Sequence, residues 1–169
     1  MPRKIRPIRV EGNIAYVPLT KGYEAMIDVD DVPLVLGWNW TATPRRNTVY
    51  AYRRPRVNGR LQSCLMHRMI MATGHTMAVD HVNGNGLDNR RENLREASWS
   101  ENARNSVRRS TNTSGFKGVC WHKKAGKWMA QIVLHGENTY LGLFDAAEDA
   151  HLAYAEASQR LHGNFGRCK

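Results

Sequence analysis

The sequence predicts an α+β chain, and three features carry that expectation. Strand-type alternation runs through the first third around the pairs Lys21-Gly22 and Asn58-Gly59; Asn-Gly between extended runs is the strongest short hairpin signal. In the middle, a β-branched run ends in Asp80-His81, and a glycine- and asparagine-rich loop leads on to a short strand and a helix bearing Asn102. The last third holds three short β-type segments followed by an alanine-striped helix. The expected divisions are a β-rich region over 1–62, a central unit over 63–109, a linker over 110–115 and a final unit over 116–169.

Taken in order, Ile14 and Tyr16, then Tyr23, Ala25 and Ile27, alternate about Lys21-Gly22 as a β-hairpin would. Asp30-Asp31-Val32-Pro33 offers an N-cap and a first-turn proline for a short helix that Gly37 would stop. Trp38 and Trp40 open an extended region that continues through Thr48–Tyr52, turns at Asn58-Gly59 and resumes at Arg60. Arg45, Arg46, Arg53, Arg54, Arg56 and Arg60 cluster around these strands, and both a solvated face and a DNA-backbone contact fit them. Leu65–Met71 has apolar residues at helical spacing, with Gly74 as the stop and the methionines as core filler. Asn83, Gly84, Asn85 and Gly86 tolerate positive φ and permit a tight excursion. Ser98-Trp99-Ser100-Glu101 is a capping-box pattern, so the helix with Asn102 starts there.

The stretch 110–115 is small, polar and turn-prone, as a linker is. Strand-type segments follow at Phe116–Trp121, Lys127–Ile132 and Tyr140–Phe144, broken by Ala125-Gly126 and His135-Gly136. Asp145-Ala146-Ala147-Glu148 caps a helix whose Ala146, Ala150, Ala153, Ala157 and Leu161 form one stripe, with Gly163 as its end.

Charge narrows the function classes. The chain has 169 residues, with 25 Lys and Arg against 15 Asp and Glu, a net +10 that favours a polyanionic partner, nucleic acid first. Between Arg104 and Lys127 every charged residue is basic. Hydrophobic residues make up 41%, enough for a folded core, yet the apolar runs fall far short of a bilayer span and Met1–Val10 lacks a signal-type apolar core. A cytoplasmic protein with no membrane partner is expected. Cys64, Cys120 and Cys168 are odd in number and widely spaced, which indicates neither a disulfide framework nor a zinc ribbon.

Asp80 and His81 carry the chemistry. Neighbours on a strand point to opposite faces, so the acid can hold a cation on one side of a bound phosphate while the imidazole works from the other. In-line hydrolysis uses both, with His81 taking a proton from water.

With its Asp-His pair, the run Asp88-Asn89-Arg90-Arg91-Glu92-Asn93-Leu94-Arg95 and Glu101-Asn102 in that order, the stretch from Leu65 to Asn105 resembles the ββα-metal (HNH) nuclease motif in its phage and intron homing form. The resemblance implies Asp80 and Asn102 as metal ligands, His81 as general base and Asn93 as a brace for the loop and the imidazole. It also implies one Mg²⁺ or Mn²⁺ per active site, because the donors are hard oxygens. Many HNH enzymes place histidine where Asn102 stands, which weakens a zinc assignment. Arg90, Arg91 and Arg95 could clamp phosphates or pair with Glu92 and Glu96. His67 and Arg68 stand where similar phage proteins begin the nuclease domain, in a structural or phosphate-positioning role. Arg108 and Arg109 continue the basic character.

From Ser114 to Gly166, Gly126-Lys127-Trp128, Tyr140-Leu141-Gly142-Leu143-Phe144-Asp145, the alanine-rich helix and Gly163-Asn164-Phe165 resemble the plant APETALA-two (ethylene-response-factor) DNA-binding domain. That resemblance implies a three-stranded antiparallel sheet packed on one helix, with Lys117, Trp121, His122, Lys124, Lys127, Trp128, Gln131 and Tyr140 at double-stranded DNA. Cys120 and His122 stand where the plant domains carry arginines, so the plant sequence preference does not transfer. The favoured reading is a site-specific homing-type DNA endonuclease, phage-encoded and acting in the host cell, a monomer or weak dimer with no protein partner evident. A non-cleaving DNA-binding regulator is the rival; an RNA-binding protein fits the charge but neither motif.

Overall fold

The first strands, β1 (Arg9–Glu11), β2 (Ile14–Pro18) and β3 (Glu24–Asp28), form an antiparallel sheet in the order β1-β2-β3. A computed structural model of the chain describes residues 4–45, 47–74, 76–104, 112–134, 136–163 and 166. The β2–β3 connection is the expected turn, with Lys21 at φ 61° and Gly22 at φ 75°. Helix α1 (Val32–Val35) follows, its proline in the first turn but with no side-chain cap from Asp31. The expected cap is absent because Asp31 is committed elsewhere, to an arginine 60 residues on.

Strands β4 (Thr41–Pro44) and β5 (Val49–Arg53) pair antiparallel, and β5 also pairs with β8 (Cys64–Leu65). Between them lies the small hairpin β6 (Arg56–Val57) and β7 (Arg60–Leu61), whose Asn58 and Gly59 both have positive φ, as that dipeptide demands. Helix α2 (Met66–Met71) ends at Ala72 in the left-handed region, two residues before the expected stop at Gly74. Strand β9 (Ala78–His81) pairs antiparallel with β10 (Leu94–Ala97), setting Asp80 opposite Arg95 and His81 opposite Leu94.

One apolar core joins β2, β3, α1, β4, β5, α2, β9 and β10, from Ala15, Val17 and Ile27 through Val35, Trp40, Ala42 and Ala51 to Met66, Ile70, Val79 and Leu94, while β1 and the β6–β7 hairpin stay exposed. No division therefore appears at 62/63: the chain forms two units, Met1–Ala97 and Ser98–Lys169. The hairpin sheet is too small to bury its own face, and the motif strands complete it.

In the second unit, α3 (Trp99–Arg104) begins with the reciprocal capping box: Ser98 N–H donates to Glu101 Oε2 at 2.8 Å and Glu101 N–H to Ser98 Oγ at 3.2 Å. Strands β11 (Val119–His122), β12 (Lys127–Leu134) and β13 (Glu137–Phe144) form an antiparallel sheet in that order, covered by α4 (Ala147–His162). The buried face of α4 is Ala147, Ala150, Tyr154, Ala157, Ser158 and His162; it keeps the expected Ala150 and Ala157, while Ala146, Ala153 and Leu161 are only partly buried. Its N-cap is Ala146 without a side-chain bond; Asp145 instead pairs with Lys127 at 3.0 Å, an exposed contact worth little. The architecture is α+β: small antiparallel sheets with a few helices.

Candidate active site and nucleic-acid interface

β9 delivers Asp80 and His81 to different surroundings because the pleat alternates its side chains. The Asp80 carboxylate, 4% exposed, takes Nε and Nη2 of Arg95 on its Oδ2, at 2.9 and 2.7 Å. His81, 5% exposed, lies against Asn89 with Nε2 3.1 Å from Oδ1. An amide oxygen only accepts, so Nε2 carries the proton and Nδ1 the lone pair. Burial holds the His81 imidazole below its ordinary value, against the raising influence of Asn89, Asp80 and Asp88. A neutral ring at neutral pH is the state a general base requires.

The loop after β9 is held from three sides. Asn93, 6% exposed, accepts the Asn83 N–H on Oδ1 at 2.9 Å and donates Nδ2 to the Asp88 carbonyl at 2.7 Å, tying the loop's two ends. Buried Asp88 accepts Nε and Nη2 of Arg90, both at 2.8 Å, and Asn83 Nδ2 at 2.9 Å; the guanidinium holds its carboxyl below the usual range. The backbone docks on β3, with Met26 N–H donating to Leu87 O at 2.8 Å and Asn89 N–H to Met26 O at 2.7 Å. The amino-terminal sheet thus positions the motif loop directly.

Only Gly84 of the four loop residues has positive φ, at 76°; Asn83, Asn85 and Gly86 do not need it. Gly86 is required for space. A Cβ there would lie 2.6 Å from Val49 O and 2.7 Å from a Tyr50 ring carbon. Gly86→Ala is therefore expected to cost about 1–3 kcal/mol, read as a lower urea midpoint; an unchanged midpoint would mean the loop does not seat on β5.

The three motif arginines are ion-paired in this fold. Arg90 forks onto Asp88 and also meets Glu92 at 2.6 Å. Arg91 binds Asp31 at 2.6 Å and the Ile70 carbonyl at 3.2 Å, and its N–H donates to Asp28 Oδ2 at 2.7 Å. Arg95 binds Asp80. Of the expected pairings Arg90–Glu92 occurs; Asp31 is illegible as a partner in the sequence, because nothing local marks an acid whose partner is 60 residues away. Arg68 is likewise turned inward, donating to Met77 O at 3.0 Å and Gly74 O at 2.5 Å across the α2–β9 connection.

His67, considered for DNA, is buried at 6% exposure against Tyr50 and His81. Burial, helped by His81 and Arg68, lowers its value to about 3. The unfolded chain then binds the proton more readily than the folded one, so stability is complete above pH 6.5 and falls between 6.5 and about 3. Thermal unfolding across that window should show a shallower slope in His67→Leu; an identical slope would overturn the assignment.

In the second unit, Asn102 sits on α3. Arg108 and Arg109 lie outside the described residues. The sheet register sorts the other expected DNA residues. Trp121 faces Trp128 across β11–β12, their rings 5.1 Å apart, and Trp128 packs on the core with Val119 and Ala130, so this pair belongs to the helix-side face, with Trp121 46% exposed at its rim. His122 opposite Lys127, and Gln131 opposite Tyr140, fall on the other face, where Tyr140 is 60% exposed. Lys124 is exposed in the β11–β12 turn and Lys117 lies ahead of β11.

The donors named for a cation, a carboxylate and an amide oxygen, suit Mg²⁺ or Mn²⁺ by hardness. Buried Asp80 has the charge to hold one, and a cation there would share the carboxylate with Arg95 or displace it. Among the described residues, no three His, Cys, Asp or Glu side chains converge as a softer metal would need. No described helix is long and apolar enough to cross a membrane.

Comparison with known proteins finds a family for the stretch of chain that holds Asp80 and His81. The HNH endonuclease family profile matches residues 65–104. Protein 3.8 of Escherichia phage T7 is 34% identical over 89 residues, covering 53% of this chain and 73% of that protein. No solved structure matches significantly. With the strand, loop and strand of that motif in place and a relative of this extent, the chain belongs to the family of phage T7 Protein 3.8 and carries an HNH endonuclease domain at residues 65–104.

Proposed function

We propose that the protein is a divalent-metal-dependent endonuclease that hydrolyses phosphodiester bonds of double-stranded DNA at a defined site. The observation that carries this reading is His81: an imidazole on the motif strand, buried, held below its ordinary value and oriented by Asn89, as a base that takes a proton from water requires. Asn93 holds the loop that carries Asn89, and so acts on the base from behind. Asp80 and Asn102 are the proposed oxygen donors, on donor chemistry alone. Bound Mg²⁺ or Mn²⁺ would supply charge to a crowded phosphate and its departing oxygen.

DNA affinity comes from the net +10 and is sequence-independent. Site choice belongs to the sheet of the second unit, whose His122, Lys127, Gln131 and Tyr140 share one face. The resemblance to homing enzymes and the phage homologue support a phage-borne gene and action in the host cell. One observation favours the rival, a non-cleaving DNA-binding regulator: the Asp80–Arg95 ion pair satisfies the carboxylate without a metal. Supercoiled plasmid incubated with the full chain decides between them. Nicking or linearisation with Mg²⁺ and none after EDTA is expected; intact plasmid with both Mg²⁺ and Mn²⁺ would leave only a binding protein.

A further inference from the structure

We infer that Tyr50 and His67 are positioning residues for His81, walling in its imidazole and fixing the plane in which it acts. The inference rests on the nuclease reading for its consequence in catalysis, and on ring geometry for itself. Three elements meet here: β5 brings Tyr50, α2 brings His67 and β9 brings His81. The rings of Tyr50 and His81 are 5.7 Å apart, those of Tyr50 and His67 5.4 Å, and His67 stands edge-on to His81 at 4.9 Å and 85°. These separations and tilts lie in the range that aromatic rings prefer.

The Nε2 contact with Asn89 holds one atom of the imidazole. Contacts from two other rings restrain its plane. Nδ1 of His67 is buried without a hydrogen-bond partner among the described residues, so that side of the ring packs rather than bonds. Tyr50 is in turn immobilised from the loop: the missing side chain of Gly86 is what lets the backbone lie against ring carbons Cδ1 and Cε1. The glycine of the loop, the tyrosine and the two imidazoles therefore form one stack from three parts of the chain. Tyr50 lies outside the matched residues 65–104, so the β4-β5-β8 sheet contributes to orienting the base as well as to the core.

The test combines single-turnover DNA cleavage at saturating full-length protein, DNA affinity, and ¹H–¹⁵N long-range spectra of the histidine rings. Tyr50→Leu is expected to lower the cleavage rate by about 10- to 100-fold with the DNA dissociation constant unchanged, as a misplaced base would, and Tyr50→Phe to restore most of the loss. His81 should show one sharp Nε2-protonated tautomer in the wild type and an averaged pattern in Tyr50→Leu. His67→Leu, compared with His67→Phe, repeats the split if Tyr50→Leu fails to fold. Wild-type rates and unchanged His81 signals in folded leucine variants would overturn the inference. A wild type that cuts no DNA would instead sink the nuclease reading, and the His81 spectra would still decide whether these rings orient it.

Discussion

Replacing His81 by alanine is expected to lower the single-turnover rate of DNA cleavage by about 10²- to 10⁴-fold, the contribution of a positioned proton acceptor. The DNA affinity should stay within about twofold, because a neutral side chain adds nothing to the phosphate-neutralising charge. The size follows from the setting: the imidazole is buried, neutral and has its proton on the nitrogen facing Asn89. Nothing else described on β9 or β10 duplicates it, since Asp80 is bound by Arg95 and Leu94 is apolar. The variant should fold, as removing an imidazole at the end of a strand leaves the β9–β10 ladder intact. Gel-resolved cleavage under excess protein with Mg²⁺, alongside fluorescence anisotropy for binding, measures both quantities. Equal rates in the two proteins would remove His81 from the chemistry.

Asn93→Ala should lower the first unit's stability by about 2–4 kcal/mol, or its melting temperature by roughly 10–20 °C in a unit of this size. The side chain is 6% exposed and uses both ends of its amide, accepting the Asn83 N–H and donating to the Asp88 carbonyl. Truncation leaves a backbone donor and a backbone acceptor buried without partners, and unmade bonds of that kind cost more than made ones gain. Asn93→Asp keeps the acceptor and loses the donor, so it should fall between wild type and alanine. Cleavage should drop with the loop, because Asn89 leaves with it. A melting temperature for Asn93→Ala within a degree of wild type would show that the loop is held by β3 alone.

These residues also show which features are readable along the chain. The Asn58-Gly59 turn and the Ser98–Glu101 capping box are legible because both partners of each interaction lie within four residues, and local geometry decides them. The Asp80-His81 placement is legible for a similar reason, since a strand must send neighbours to opposite faces. The helix ends are less legible. Ala72 closes α2 and Ala146 opens α4 without a side-chain cap, because packing of Met66, Ile70 and the alanine face onto the sheets outweighs a cap bond.

Residue types by themselves determined the α+β class, the polyanion-seeking charge and the acid–imidazole–amide order of the motif, because each depends on local period, on summed charge or on short spacing. Only the tertiary structure decided which partner each charged or aromatic group took: Arg91 goes to Asp31 rather than to Glu92 or Glu96, Arg95 goes to Asp80, and Tyr50 and His67 close on His81. It likewise merged the amino-terminal sheet with the motif into one core. The reason is physical. Long-range pairing is chosen by which surfaces bury together, and that choice is made by the whole set of apolar residues at once, leaving no mark on any short stretch of chain.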